Sequence, residues 1–69
     1  MRARLVAHTP IGKFAQAYND VPEEDFNSTV ETLTKNAGKF TYLKIVLENG
    51  SVAIINRSCL ENSVLVLEK

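Results

Sequence analysis

Asn49-Gly50 stands between two runs rich in β-branched and other apolar residues, Tyr42 to Leu47 and Val52 to Ile55. Asn and Gly tolerate positive φ best, and the favoured two-residue hairpin turn wants positive φ at both central positions. The dipeptide therefore demands an antiparallel pair of strands. An apolar side on that pair demands a core beneath it. A two-residue loop predicts Glu48 opposite Ser51, Leu47 opposite Val52 and Ile45 opposite Ile54, on one apolar face with Leu43. The other face would carry Tyr42 with Arg57, Lys44 with Ile55 and Val46 with Ala53, a mixed surface.

The rest of the chain supplies what covers such a hairpin. Ala3, Leu5 and Ala7 alternate with Arg2, Arg4, Val6 and His8, the period of a half-buried strand. Thr9-Pro10-Ile11-Gly12 has turn chemistry, and Phe14, Gln16 and Tyr18 then alternate with Ala15 and Ala17. A first hairpin is expected over residues 2–18. Residues 22–37 predict the one helix. Pro22 suits its first turn, and Glu23, Glu24 and Asp25 place negative charge at the positive end of the helix dipole. Phe26, Val30, Leu33 and Ala37 form one apolar stripe, and Gly38 stands where a left-handed cap belongs. Ser28 with Glu31 offers a later start as a capping box, but the stripe begins at Phe26 and favours the earlier one. Residues 56–62 read as a polar connection, and Ser63 to Glu68 as a last strand. Leu65 and Leu67 point one way in that strand and Val64 and Val66 the other, so either it is central with its second face against another subunit, the favoured expectation, or its outer face is an exposed apolar patch.

The expected fold is thus a single domain over residues 1–69: α+β, a small antiparallel sheet of about five strands with one helix, in the order β-β-α-β-β-β. A chain of 69 residues has room for only a thin core. Cys59 is the only cysteine and His8 the only histidine, so neither an internal disulfide nor a four-ligand zinc site is available. A homo-oligomer is the remaining source of stability. Eight Lys and Arg balance eight Asp and Glu, which argues against a duplex nucleic acid partner. No apolar run is long enough for a membrane helix, and Met1-Arg2-Ala3-Arg4-Leu5 lacks the apolar region of a signal peptide. With a lone thiol, the expected location is cytoplasmic.

Little in the chain is arranged for catalysis. Cys59 and His8 could be nucleophile and base, but no orienting group or family signature surrounds the cysteine, and a small buried thiol under the loop explains it. Glu23-Glu24-Asp25 lacks the alternating oxygen ligands of a calcium loop and is explained by the helix dipole. The three glycines form no phosphate-cradling loop, so no cofactor is expected. One constellation remains. Arg2, Arg4 and His8 share a face of the first strand, with Lys13 nearby, and Asn56, Arg57 and Ser58 follow the fourth strand. Guanidinium groups grip phosphate bidentately, and short Asn and Ser side chains read polar edges. The ligand-binding candidates are Arg4, His8, Asn56, Arg57 and Ser58; a solvated strand face and a polar loop are the plainer explanation.

The C-terminal half carries a resemblance. Phe40-Thr41-Tyr42-Leu43-Lys44-Ile45-Val46-Leu47-Glu48-Asn49-Gly50, then Val52-Ala53-Ile54-Ile55, then Leu60-Glu61-Asn62-Ser63-Val64-Leu65-Val66-Leu67 make a hairpin, a short polar loop and a terminal strand. In layout this resembles small bacteriophage accessory proteins, among them the anti-defence sponges. The resemblance implies a non-enzymatic homo-oligomer that sequesters a cyclic-nucleotide-type anionic signal at its subunit boundaries without cleaving it. It covers about thirty residues of layout and transfers no functional residue. The competing reading is a protein–protein interaction module or inhibitor of a host protein, using an apolar strand face or a sheet edge.

Overall fold

The computed structural model describes residues 1–36 and 38–69. These residues form six strands and two helices: β1 (Arg2–Thr9), β2 (Gly12–Ala15), β3 (Asn19–Asp20), α1 (Glu23–Asn36), β4 (Tyr42–Val46), β5 (Val52–Asn56), α2 (Arg57–Leu60) and β6 (Val64–Glu68). The expected α+β class with mostly antiparallel strands and one main helix holds, but the strands divide between two sheets.

β1 is the central strand. β6 pairs with it antiparallel along one edge, placing Val66 opposite Val6 and Leu65 opposite Ala7. β2 runs along the other edge, with Ala15 opposite Val6 and Phe14 opposite Ala7. β3 continues that side, Asn19 opposite Ala3. The last strand is therefore a sheet edge and not the expected centre. Val6 is fully buried between Ala15 and Val66, and Val66 is itself half-buried. Neighbours in the same sheet thus cover part of the second apolar face, at Val66, whereas Val64 is 63% exposed.

The expected continuous strand through Tyr18 breaks after Ala15. Residues 16–18 lie opposite only two residues of β1, Arg4 and Leu5, a bulge that inserts one extra residue and reverses the alternation. Gln16 anchors it: its N–H donates to the Leu5 carbonyl at 3.0 Å, and its Oε1 accepts from the Leu5 N–H at 3.2 Å. Phe14 stays against the core, whereas Tyr18 turns to the face of Arg2 and Arg4.

The β4–β5 hairpin is present but one residue out of the expected register. Val46 faces Val52, Ile45 faces Ala53, Lys44 faces Ile54, Leu43 faces Ile55 and Tyr42 faces Asn56. The loop has three residues. Leu47 donates to the Ser51 carbonyl at 2.7 Å, and Gly50 donates to the Leu47 carbonyl at 3.0 Å. Within this loop only Gly50 takes positive φ, at 85°, and among the described residues none other than glycine does, so Asn49 is not in the two-residue turn. This is a turn closed by a left-handed glycine, and the Asn49 side chain caps it by accepting from the Ser51 N–H at 2.9 Å. The extra residue turns Ala53 and Ile55 inward and Val52 and Ile54 outward.

Ile45 and Ile55 then pack against Ala7, joined by Leu5, Phe14 and Leu65, to make the core. A bridge between Gln16 and Leu47 ties the hairpin to the end of β2. Residues 57–60, expected to be an irregular polar connection, form the single turn α2, whose start is capped by Asn56.

α1 begins early, as the stripe required: Asp25 and Phe26 both donate to the Pro22 carbonyl. Its end differs. Gly38 is not at positive φ; instead Lys39 donates to the Asn36 carbonyl, and Asn36 Nδ2 donates to the Thr32 carbonyl. Ala37, the last member of the expected stripe, lies outside the described residues. No residue of α1 is buried.

Candidate functional site

Arg4 lies on the outer face of β1, directly opposite Glu68. Its Nε donates to Glu68 Oε1 at 2.6 Å and its Nη1 to Glu48 Oε1 at 3.0 Å. The guanidinium stacks 4.6 Å from the Tyr18 ring centroid, and Arg2 lies over the same ring at 5.3 Å. The Tyr18 hydroxyl donates to Glu68 at 3.4 Å. The bulge at residues 16–18 makes this cluster possible, since without it Tyr18 would face the core side with Phe14. The hydrogen bond from Arg4, with the charges of Arg4 and Lys13, holds the Glu68 carboxyl below the usual glutamate range against the opposing effect of desolvation. Glu68 in turn raises the Arg4 guanidinium above its ordinary value. One guanidinium therefore meets two carboxylates. The Arg4 side chain is only 16% exposed, so a phosphate would have to displace Glu48 or Glu68 to reach it.

The other candidates sit elsewhere. His8 is exposed on β1, opposite Lys13 and Val64. Asn56 spends its side-chain oxygen on the Cys59 N–H at 3.0 Å, which caps α2. Arg57 donates from Nη2 to the Gly38 carbonyl at 3.1 Å and lies 3.5 Å from Glu61. It does not lie opposite Tyr42, a position the actual register gives to Asn56. Ser58 is exposed, and its carbonyl accepts from Asn62 Nδ2. Arg4 and His8 thus share β1, while Asn56, Arg57 and Ser58 share the β5–α2 junction. The clefts that Arg4 lines are not the one that Asn56 lines. Within one chain the structure does not gather these five residues around a common space.

Cys59 packs half-buried against the core, whereas His8 projects from the opposite face of β1. Glu23, Glu24 and Asp25 occupy the first turn of α1, all exposed. Among the described residues no group of His, Cys, Asp and Glu is arranged to hold a metal ion, and no helix is long and apolar enough to cross a membrane.

Sequence reasoning overlooked two apolar features. The first is the outer face of the β4–β5 hairpin, where Tyr42 is 58% exposed, Val46 51%, Val52 49% and Ile54 69%. Lys44 is the one charge among them. The missed signal was parity: the three-residue loop puts Val52 and Ile54 on the side of Tyr42 and Val46. The second is a groove of about 520 Å³ between α1 and β6, bounded by Phe26, Val30, Leu33, Leu65 and Leu67. The helical stripe marks one wall of that groove, but nothing in the spacing says that the helix stands off from the sheet.

No protein-family model matches this sequence, and neither a curated protein nor a solved structure is significantly similar to it.

Proposed function

We propose that the chain is a non-enzymatic binding module that recognises protein through the outer face of the β4–β5 hairpin, beginning with a second copy of itself. The observation that carries this reading is the set of four large apolar side chains, Tyr42, Val46, Val52 and Ile54, exposed together on one face of one hairpin. An isolated exposed valine is ordinary, whereas a contiguous patch on a small domain marks a contact surface. β5 adds an open edge, since among the described residues it pairs only with β4 and it carries neither proline nor charge over Val52–Asn56. The need is also there. Among the described residues five form the buried apolar interior, three of them no larger than valine, and a core this small gains from association. A net charge of zero raises no barrier to self-association.

The anionic-ligand reading draws less from the geometry, because Arg4 is already committed to two carboxylates and Arg57 to a backbone carbonyl and Glu61. Sedimentation equilibrium of the wild type and of Ile54→Lys tests the choice. The wild type should associate at micromolar concentration. Ile54→Lys should be a folded monomer, because a charge placed in such a contact costs several kcal/mol. A wild type that stays monomeric, together with an Ile54→Lys variant that keeps every protein interaction of the wild type, would overturn the proposal. Saturable binding of a cyclic dinucleotide that is lost in Arg57→Ala would favour signal sequestration instead.

A further inference from the structure

The helix and the sheet do not close on each other. The groove between them is walled on the α1 side by Phe26, Val30 and Leu33, and on the other by Phe40, Leu60 and Leu65. Its polar side chains are Thr34 and Ser63, whose hydroxyls donate to the carbonyls of Val30 and Cys59. Among the described residues no charged one lines it. Val30 points into the groove and is still 41% exposed. A second cleft, of about 280 Å³, continues from the first, sharing Phe26 and Leu67 with it. Close-packed interiors do not keep voids of this size, and apolar clefts of several hundred Å³ with few polar groups are the usual shape of small-molecule sites.

The charges around the clefts define one end of an occupant. Arg4 lines the smaller cleft, but Glu48 and Glu68 hold its guanidinium, and Asp25 lines the same cleft. An anion is unfavourable there. The Lys69 ammonium lies 5.1 Å from the centroid of the ring of Phe26, a residue that lines both clefts. Among the described residues it pairs with no carboxylate. We propose that the groove binds a single-chain anionic amphiphile of the fatty-acid class. The alkyl chain lies between α1 and β6, and the carboxylate sits at Lys69. This site is separate from the hairpin face, and neither reading depends on the other.

Titration calorimetry with dodecanoate, kept below its micelle concentration, tests the site on the intact protein. The expected result is saturable binding of one molecule per chain, weaker for octanoate and weaker for dodecyltrimethylammonium. Val30→Trp and Leu33→Phe each fill the groove from a helix position that is not buried, and should abolish binding while the circular dichroism spectrum is kept. Lys69→Glu should weaken dodecanoate about fivefold or more, as expected for an exposed charge contact. The absence of saturable heat with the wild type overturns the proposal, whatever the variants do. Unchanged binding by either folded groove-filling variant overturns it as well. Equal affinity for dodecanoate and dodecyltrimethylammonium overturns the assignment of Lys69 to the head group.

Discussion

Two regions of one face of the central sheet, the face of Leu5, Ala7, Leu65 and Leu67, are covered in opposite ways. On the hairpin side Ile45, Ile55 and Ala7 exclude water completely or nearly so, and the loop and the bulge fasten the strands by backbone hydrogen bonds. On the helix side no residue of α1 is buried, and a groove separates the helical stripe from Leu65 and Leu67. The described residues accordingly span 31 × 29 × 14 Å, with one thin dimension. Strand-to-strand packing therefore carries stability here, and the helix is attached to a body that already has its core. Local opening follows such differences in burial, so the α1 amides should exchange with solvent before those of β1.

The sharpest way to break this comparison is to truncate one apolar side chain on each side. Ile45→Ala should cost about 2–5 kcal/mol, the range for a fully buried large-to-small change. The whole stability of a domain of this size is about 3–10 kcal/mol, so the variant should be largely unfolded at room temperature or close to it. Leu33→Ala should cost under about 1 kcal/mol, because its site is already open to solvent and alanine favours helix. Urea denaturation of both variants gives the two values, and similar losses would show that α1 is as integral as the hairpin.

Gly50→Ala should come next, at about 1–2 kcal/mol, because the residue must hold φ near 85° although a Cβ there would meet no neighbour. A loss within error would mean that the loop relaxes to another turn, which amide chemical shifts of residues 47–51 would reveal. The smallest effect is electrostatic. Glu68 has its carboxyl lowered in the folded state, first by the Arg4 hydrogen bond, so its contribution is present above the unfolded-state value. It is lost as pH falls through the lower folded-state value. The melting temperature of wild type should therefore exceed that of Glu68→Gln at neutral pH, and the gap should close below the ordinary glutamate range. A gap that is constant from neutral to acid pH would show that the ion pair contributes nothing.

Much of the architecture was legible in residues whose signal is local. Pro22 with the acidic turn and the Phe26 stripe located the start of α1, and the β-rich runs flanking Asn49-Gly50 located a hairpin. What failed to carry over depended on counting one residue more or less. Asn-Gly serves a two-residue turn and also the last two places of a three-residue loop, and the dipeptide itself does not choose. The bulge at residues 16–18 is equally silent, because Gln16 acts there through bonds to Leu5 that no periodicity announces. The candidate site fared worse for a related reason. Arg4 and Arg57 were legible as cations, but their partners Glu48, Glu68 and the Gly38 carbonyl are 44, 64 and 19 positions away in the chain.

The three-residue loop also bears on how this surface can change by mutation. Strand parity means that a single in-frame codon lost between Glu48 and Gly50 would not merely shorten a turn. It would rotate β5 about its own axis, bringing Val52 and Ile54 against Ala7 and Phe14 and sending Ala53 and Ile55 to the solvent. Point substitutions alter that apolar surface one side chain at a time, whereas an insertion or deletion in three positions exchanges the whole set at once. Among related sequences the length of this turn would thus be a better marker of whether the surface is kept than the identity of any residue on it.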